Sequence, residues 1–179
     1  RRTPDDDTIL YFNALALDNM GSIDEAMKGY ESLIAKNTDR SDVYGSYARL
    51  LREKGLEAKA NEIFATARAA RPQDGQIVAD YARFVARTST WGEVQALLDE
   101  ALRLSPQDTD VLVAAAQANM LRRQHARAVE LLRQVIELKP DEGPAYLMLA
   151  SAYIYQGMTE DAIKALQKAD ELVRIDSPL

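Results

Sequence analysis

Apolar residues recur along this chain at spacings of three and four, with polar residues between them. One example is the group Ala128, Leu131, Leu132 and Val135. This spacing places the apolar side chains on one face of an α-helix. No segment alternates apolar and polar residues with a period of two, which is the pattern of a half-buried strand. The chain is therefore predicted to be all-α.

The helical pattern repeats every 34 residues. Pro72, Pro106 and Pro140 are spaced by 34, and so are Gly21 and Gly55. Units of this length stack on their neighbours and share a continuous core that none could form alone. The period therefore predicts an α-solenoid.

Cutting the chain at this period predicts its organisation. A lead-in covers residues 1–6, a single array covers 7–176, and a tail covers 177–179. The five predicted repeats are 7–40, 41–74, 75–108, 109–142 and 143–176.

Small residues occupy two fixed places in each repeat. The eighth place is always alanine, and the twentieth is alanine except for Val94. A bulky side chain at a helix contact forces the axes apart, so these places are predicted to be where helices touch. Large apolar residues at the twenty-fourth place are predicted to fill the space between helices. They are Tyr30, Phe64, Leu98, Leu132 and Leu166.

The ends of the helices are also marked. Glycine at the fifteenth place of repeats one, two and five predicts a left-handed residue that ends the first helix. Ser89 and Arg123 stand there in repeats three and four, so those turns are predicted to close differently. Proline at the thirty-second place predicts the end of the second helix. Ser41, Thr109 and Thr8 are predicted to cap first helices with their side-chain oxygens.

This pattern resembles the tetratricopeptide repeat family. The family shares the period of 34, the small residues at places eight and twenty, and the proline at place 32. The segments VELLRQVIELKPDE and AYLMLASAYIYQGMTEDAIKALQKA are close to its consensus. Departures are Thr38 and Arg174 in place of proline. The resemblance covers nearly the whole chain and implies a superhelix of stacked antiparallel helix pairs that binds another protein in its concave groove.

The resemblance also implies which places face the groove. The residues at those places divide into an arginine group in repeats two and three and an apolar strip in repeats four and five. The predicted partner is a protein or peptide with acidic residues for the arginines and apolar residues for the strip. Gly45 and Ala79 are expected to leave room for a ligand backbone. The predicted groove residues are Tyr11, Leu15, Arg49, Arg52, Arg83, Arg87, Val113, Gln117, Met120, Leu147, Ile154 and Tyr155.

The arginines have a second interpretation. Glu53 lies four residues after Arg49, and Asp80 lies three before Arg83. Both spacings suit ion pairs within one helix. On this interpretation the arginine group is a solvated and internally paired face. The lysine and asparagine of the family's chaperone-binding clamp are absent, so a chaperone cofactor is not predicted.

Composition argues against catalysis and against several partners. The net charge of −6 is unlike that of a nucleic-acid-binding protein, which normally has a basic excess. No apolar run approaches the length of a membrane-spanning helix, so this segment is predicted not to insert. Without cysteine, and with His125 as its single histidine, the chain is predicted to be no enzyme and to bind no cofactor or metal. His125 is expected to have a structural or surface role.

Two other functions stay open. Ile163, Leu166, Leu172 and Val173 make the last helix apolar, which favours self-association through that helix because array ends need polar caps. The chain starts without methionine, so it is also expected to be a fragment, such as the non-catalytic arm of a larger enzyme or of a secretion or assembly machine. A chain without cysteine suits the cytoplasm and the bacterial periplasm equally.

Overall fold

The computed structural model describes residues 4–176, and the side chains of residues 6–173. Within this part of the chain there are ten α-helices and no strand, so the all-α prediction is confirmed. The predicted tail, 177–179, lies outside the described residues. The helices are α1 Pro4–Asn19, α2 Ile23–Ala35, α3 Asp42–Glu53, α4 Glu57–Ala70, α5 Gly75–Val85, α6 Trp91–Leu104, α7 Thr109–Leu121, α8 His125–Leu138, α9 Gly143–Tyr155 and α10 Thr159–Asp176.

The helices pack as five consecutive pairs, from α1 with α2 to α9 with α10. Neighbouring pairs are joined in two ways. Second helices pack on the first helix that follows, as α2 does on α3 and α8 on α9. Three of the first helices also pack on each other, α3 on α5 and α5 on α7, and form a wall. At the first junction, α3 packs mainly on α2 rather than on α1. At the last junction, α9 packs mainly on α8 rather than on α7, so the wall opens between α7 and α9.

The small residues lie where the helices approach most closely. Every residue at the eighth and the twentieth place is buried, with at most 3% of its surface exposed. The large residues at the twenty-fourth place are fully enclosed in the first four repeats. Together they form one apolar core that continues from Tyr11 on α1 to Ala165 on α10. The stack is therefore held by a shared interior rather than by five separate cores.

The turns within the repeats close in three ways. Repeat four uses a non-glycine residue in the left-handed region, Arg123, with φ of 60°. Repeat three instead uses the carbonyl of Val85, which accepts hydrogen bonds from the backbone N–H groups of Thr88 and Ser89 at 3.0 and 2.9 Å. The other three turns use the glycines with positive φ, namely Gly21 at 78°, Gly55 at 74° and Gly157 at 74°.

The predicted caps of the first helices are wrong. The side chain of Ser41 makes no capping bond and donates instead to the carboxylate of Asp74. Thr109 is already the first residue of α7, and Thr8 lies inside α1. The carboxylates of Asp74 and Asp108 cap α5 and α7 by accepting from backbone N–H groups at the helix starts. At α7 the capping acceptor is therefore Asp108, one residue ahead of the predicted Thr109.

Proline marks the ends of three second helices, whereas α2 ends at Ala35 with Thr38 at that place. Helices α4, α6 and α8 each end two residues before Pro72, Pro106 and Pro140. Helix α10 has no proline at that place and continues for 18 residues, to Asp176. None of the described helices is both long and apolar enough to span a membrane.

Replacing Thr90 with alanine is expected to lower the free energy of unfolding by about 1 kcal/mol. Thr90 caps α6 because its hydroxyl accepts from the N–H of Glu93, while the Glu93 carboxylate accepts from the N–H of Thr90 at 2.9 Å. Alanine removes the hydroxyl acceptor, whereas Thr90→Ser keeps it. Urea denaturation followed by circular dichroism measures both variants. A serine variant as unstable as the alanine variant would contradict this role.

Candidate protein-binding groove

Three neighbouring depressions follow the wall of first helices. The largest, here called the cleft, has a volume of about 900 Å³. The arginine depression has about 470 Å³ and the acidic depression about 300 Å³. Arg83 on α5 lines all three. The depressions therefore form one continuous groove with Arg83 at its centre.

The cleft lies where the wall opens between α7 and α9. Met120, Met148 and Tyr155 supply its apolar surface, while Gln117 and Ser151 supply neutral polar groups. Gln117 and Met148 approach each other across the opening, with 3.9 Å between Nε2 and Sδ. The described lining also contains three basic residues and no acidic one. These are Arg83, Arg123 and His125.

His125, the first residue of α8, forms part of the cleft wall. Its ring stacks on that of Tyr155, with centroids 4.7 Å apart and planes 8° from parallel. Its Nδ1 atom is buried and has no hydrogen-bond partner among the described residues. Sequence reasoning gave His125 a structural or surface role and did not connect it with the groove, because its contact lies thirty residues away in the next repeat.

The arginine depression brings together the four arginines predicted from the sequence, but they are not all free to bind. Arg49 pairs with the buried carboxylate of Asp18 and, at 2.5 Å, with Glu53. Arg52 donates to the backbone carbonyl of Phe84 and lies 4.0 Å from the centre of its ring. Both arginines therefore join adjacent repeats. Arg87 forms no ion pair with a described residue, and it is exposed.

Arg83 is held on two sides. Its Nη2 atom donates to Asp80 Oδ1 at 2.6 Å, and its Nη1 atom donates to Gln117 Oε1 at 2.9 Å. Gln76 donates to the other oxygen of Asp80 at 2.9 Å. Burial raises the pKa of the Asp80 carboxyl above its usual range, and the charge of Arg83 opposes that shift. The carboxylate is thus enclosed in the wall with one hydrogen-bond donor to each oxygen.

The expected role of Gly45 is wrong. A Cβ atom at this position would lie 2.8 Å from Asp80 Cγ and 2.9 Å from its Oδ2. The missing side chain of Gly45 therefore makes room for the Asp80 carboxylate of the next repeat and not for the backbone of a ligand.

The predicted apolar strip divides between the cleft and the open surface. Met120 and Tyr155 line the cleft. Val113 lies partly buried against the core, and it lines the acidic depression. Leu147 and Ile154 on α9 are more than half exposed and do not line the cleft. The strip is therefore not one continuous surface.

The two predicted groove residues on α1 are mostly covered. Tyr11 is buried and packs under the guanidinium of Arg40, which lies 4.3 Å from its ring centre. Its phenol still lines the acidic depression, and burial raises its pKa. Leu15 lies partly buried against the core. Repeat one therefore contributes little open apolar surface to the groove.

The acidic depression was missed in the sequence. Asp42, Asp80 and Asp110 line it together with Gln117. Asp42 and Asp110 stand at the second place of repeats two and four, and the residues at that place would have revealed them. No group of three potential metal ligands occurs among the described side chains.

Comparison with known proteins gives the same fold. The profile described as tetratricopeptide repeat matches residues 119–174. The solved structure of TTC0263, a thermophilic tetratricopeptide-repeat protein of Thermus thermophilus, is 19% identical and has a TM-score of 0.71. That match covers 93% of this chain and 91% of the other. No curated protein matches in sequence.

Two structures of MamA are also similar. One covers 91% of this chain and 95% of the other, at 17% identity and a TM-score of 0.60. The other, MamA 41-end from Desulfovibrio magneticus RS-1, covers 96% and 97%, at 14% identity and a TM-score of 0.62. At these identities the likeness concerns the fold.

The stacked helix pairs and their groove define the class of helical-repeat solenoids. More particularly, residues 119–174 match the model of the tetratricopeptide repeat family, and the fold of the described chain is that of a tetratricopeptide-repeat protein. The resemblance seen in the sequence is confirmed. Proteins of this family are protein-interaction scaffolds and are generally not catalytic.

Proposed function

We propose that this chain is a non-catalytic scaffold that binds a peptide or a helix of a partner protein in its groove. The observation that carries the proposal is the cleft. It offers about 900 Å³ of concave space with an apolar surface and a few directed polar groups. That combination is typical of sites that hold a ligand in a fixed orientation.

The lining indicates the chemistry of the partner. Met120, Met148 and the ring of Tyr155 suit an apolar side chain, and methionine adapts its shape to what it meets. Arg123 is exposed and forms no ion pair with a described residue, so it is available to a carboxylate. In a chain with a net charge of −6, a cleft without acidic lining is where an acidic partner is repelled least. The partner segment therefore combines apolar and acidic residues.

The rest of the groove sets the direction of the bound segment. A segment that continues past Arg83 reaches the acidic depression, where Asp42 is paired with Arg40 and Asp110 forms no ion pair with a described residue. A basic residue of the partner suits that end. Opposite charges at the two ends of the groove favour one orientation of the ligand over the reverse.

Four of the groove residues predicted from the sequence remain among the proposed contacts. We place Arg83, Gln117, Met120 and Tyr155 at the ligand. To Arg49 and Arg52 we assign the joining of neighbouring repeats, because their partners are Asp18 and Phe84 on adjacent first helices.

Arg123→Glu is expected to weaken binding of apolar and acidic peptides at least about tenfold, because it replaces an attractive charge with a repulsive one. The probe is an array of such peptides with free carboxyl ends, followed by titration of the best binder. Arg103→Glu on α6 makes the same charge change at an exposed site outside the cleft and is the matched control. Circular dichroism confirms that both variants are folded.

Two results would contradict the proposal of a carboxylate-binding cleft. If no peptide binds the native chain, or both variants bind as the native chain does, the cleft is not a carboxylate-reading site. Arg49 and Arg83 are unsuitable for this test. Reversing either charge would place a carboxylate against the buried Asp18 or Asp80 and destabilise the stack.

A further inference from the structure

The N-terminal end of the array exposes places that the other repeats bury. At the third place, Ile9 is 66% exposed, whereas its equivalents in repeats two to five are at most 1% exposed. The tenth place behaves in the same way. Ala16 is exposed, and the residues at that place in the later repeats are all buried. In those repeats, the preceding pair of helices covers these side chains.

The C-terminal end shows the other half of the same contact. At the twenty-fourth place, Leu166 on α10 is 44% exposed, whereas the four earlier residues at that place are at most 1% exposed. In those repeats, the following pair of helices covers the side chain. Ile163 and Val173 on α10 are also about half exposed. Both ends are therefore apolar where the end of a solenoid is normally polar.

The junctions inside the array show how such faces meet. The fifth place of one repeat lies against the sixth place of the next, as Gly45 does against Asp80. The twelfth place contacts the ninth place of the next repeat, as Asp18 contacts Arg49. These two pairings set the register in which any repeat would follow repeat five.

These pairings also show which residues would meet if repeat one of another copy stacked on repeat five. The fifth and sixth places are then Leu147 and Phe12, both more than half exposed. The twelfth and ninth places are Ile154 and Leu15. Each pair is apolar on both sides, as Val113 and Met148 are at the internal junction between repeats four and five. Every other internal pair at these places contains at least one polar or small residue. The two end faces are therefore complementary in the register that the fold itself uses.

We propose that copies of this chain bind head to tail, with α9 and α10 of one copy against α1 of the next. The occupant of each end face is a second copy. Such a contact joins two different surfaces, so it can continue from copy to copy. It does not depend on the binding of a peptide in the cleft, because the cleft is lined from α5 to α9 and includes none of these end residues.

Sedimentation velocity over a wide range of protein concentration tests the proposal. The native chain is expected to form species larger than a dimer as concentration rises. Ile9→Glu places a charge in the N-terminal end face, and Leu166→Glu places one in the C-terminal end face. Each variant alone is expected to be a monomer. An equimolar mixture of the two retains one intact pair of faces and is expected to stop at a one-to-one dimer. Leu138→Glu is the control, since Leu138 is 45% exposed but lies inside the array, on α8.

Two results would contradict the proposal of head-to-tail assembly. A native chain that stays monomeric at every concentration overturns the proposal and leaves the end faces to further repeats or to another protein. A dimer formed by either single variant alone would mean that like faces pair, which also overturns it. Peptide titration of both variants keeps the two proposals apart, because loss of assembly leaves binding in the cleft unchanged.

Discussion

Phe64→Ala is expected to lower the free energy of unfolding by about 4 kcal/mol. Phe64 is fully buried on α4, and its ring lies 5.2 Å from that of Tyr81 and 5.5 Å from that of Phe84 on α5. Truncation opens a cavity between repeats two and three, so it weakens the coupling of these repeats as well as their interior. Urea denaturation measured by circular dichroism gives the change.

Leu166→Ala is the matched control for that experiment. It truncates a large apolar residue at the same place of a repeat, but Leu166 is 44% exposed. Its loss is expected to cost about 1 kcal/mol, because little buried contact is removed. Equal losses for the two variants would show that Phe64 does not join repeats two and three.

Gly45→Ala is expected to lower the free energy of unfolding by about 2 kcal/mol. Helix propensity alone predicts the opposite sign, since alanine stabilises a helix interior by about 1 kcal/mol relative to glycine. The steric effect outweighs it because the new Cβ atom would lie 2.8 Å from Asp80 Cγ, and Asp80 is enclosed. Thermal and urea denaturation both report the sign.

A double-mutant cycle identifies the cause. Asp80→Ala removes the carboxyl atoms that the Cβ atom at position 45 would meet, although it leaves Arg83 without its acidic partner. In that background Gly45→Ala is expected to stabilise the chain, because only helix propensity remains. If the two changes are additive, the carboxylate does not lie against Gly45, and this account is wrong.

The fold could be predicted from the sequence because the same pattern of small, large apolar and turn residues recurs in successive repeats. One alanine at the eighth place means little, but five in phase locate a helix contact. The same phase located the turns at Gly21, Gly55 and Gly157. Some helix starts do not follow the repeated pattern. There a residue particular to one repeat caps the helix, as Thr90 caps α6 and Asp108 caps α7.

The groove could be predicted only in part, because its chemistry depends on contacts between repeats. Arg49 is satisfied by Asp18, thirty-one residues earlier, and no spacing rule within a helix links them. Gly45 and Asp80 lie thirty-five residues apart, and their relation needs the fold. The same is true of His125 and Tyr155, which meet only once α8 and α9 are packed.

The fit between Gly45 and Asp80 also bears on the order of the units. Repeats that resemble one another could stack on the wrong neighbour while the chain folds, since their apolar faces are similar. Only repeat two has glycine at the fifth place. The residues there in repeats one, three and four are Tyr11, Ala79 and Val113, and each has a Cβ atom where the Asp80 carboxylate must lie. The pair therefore favours the stacking of repeat three on repeat two over its stacking on repeats one, three or four.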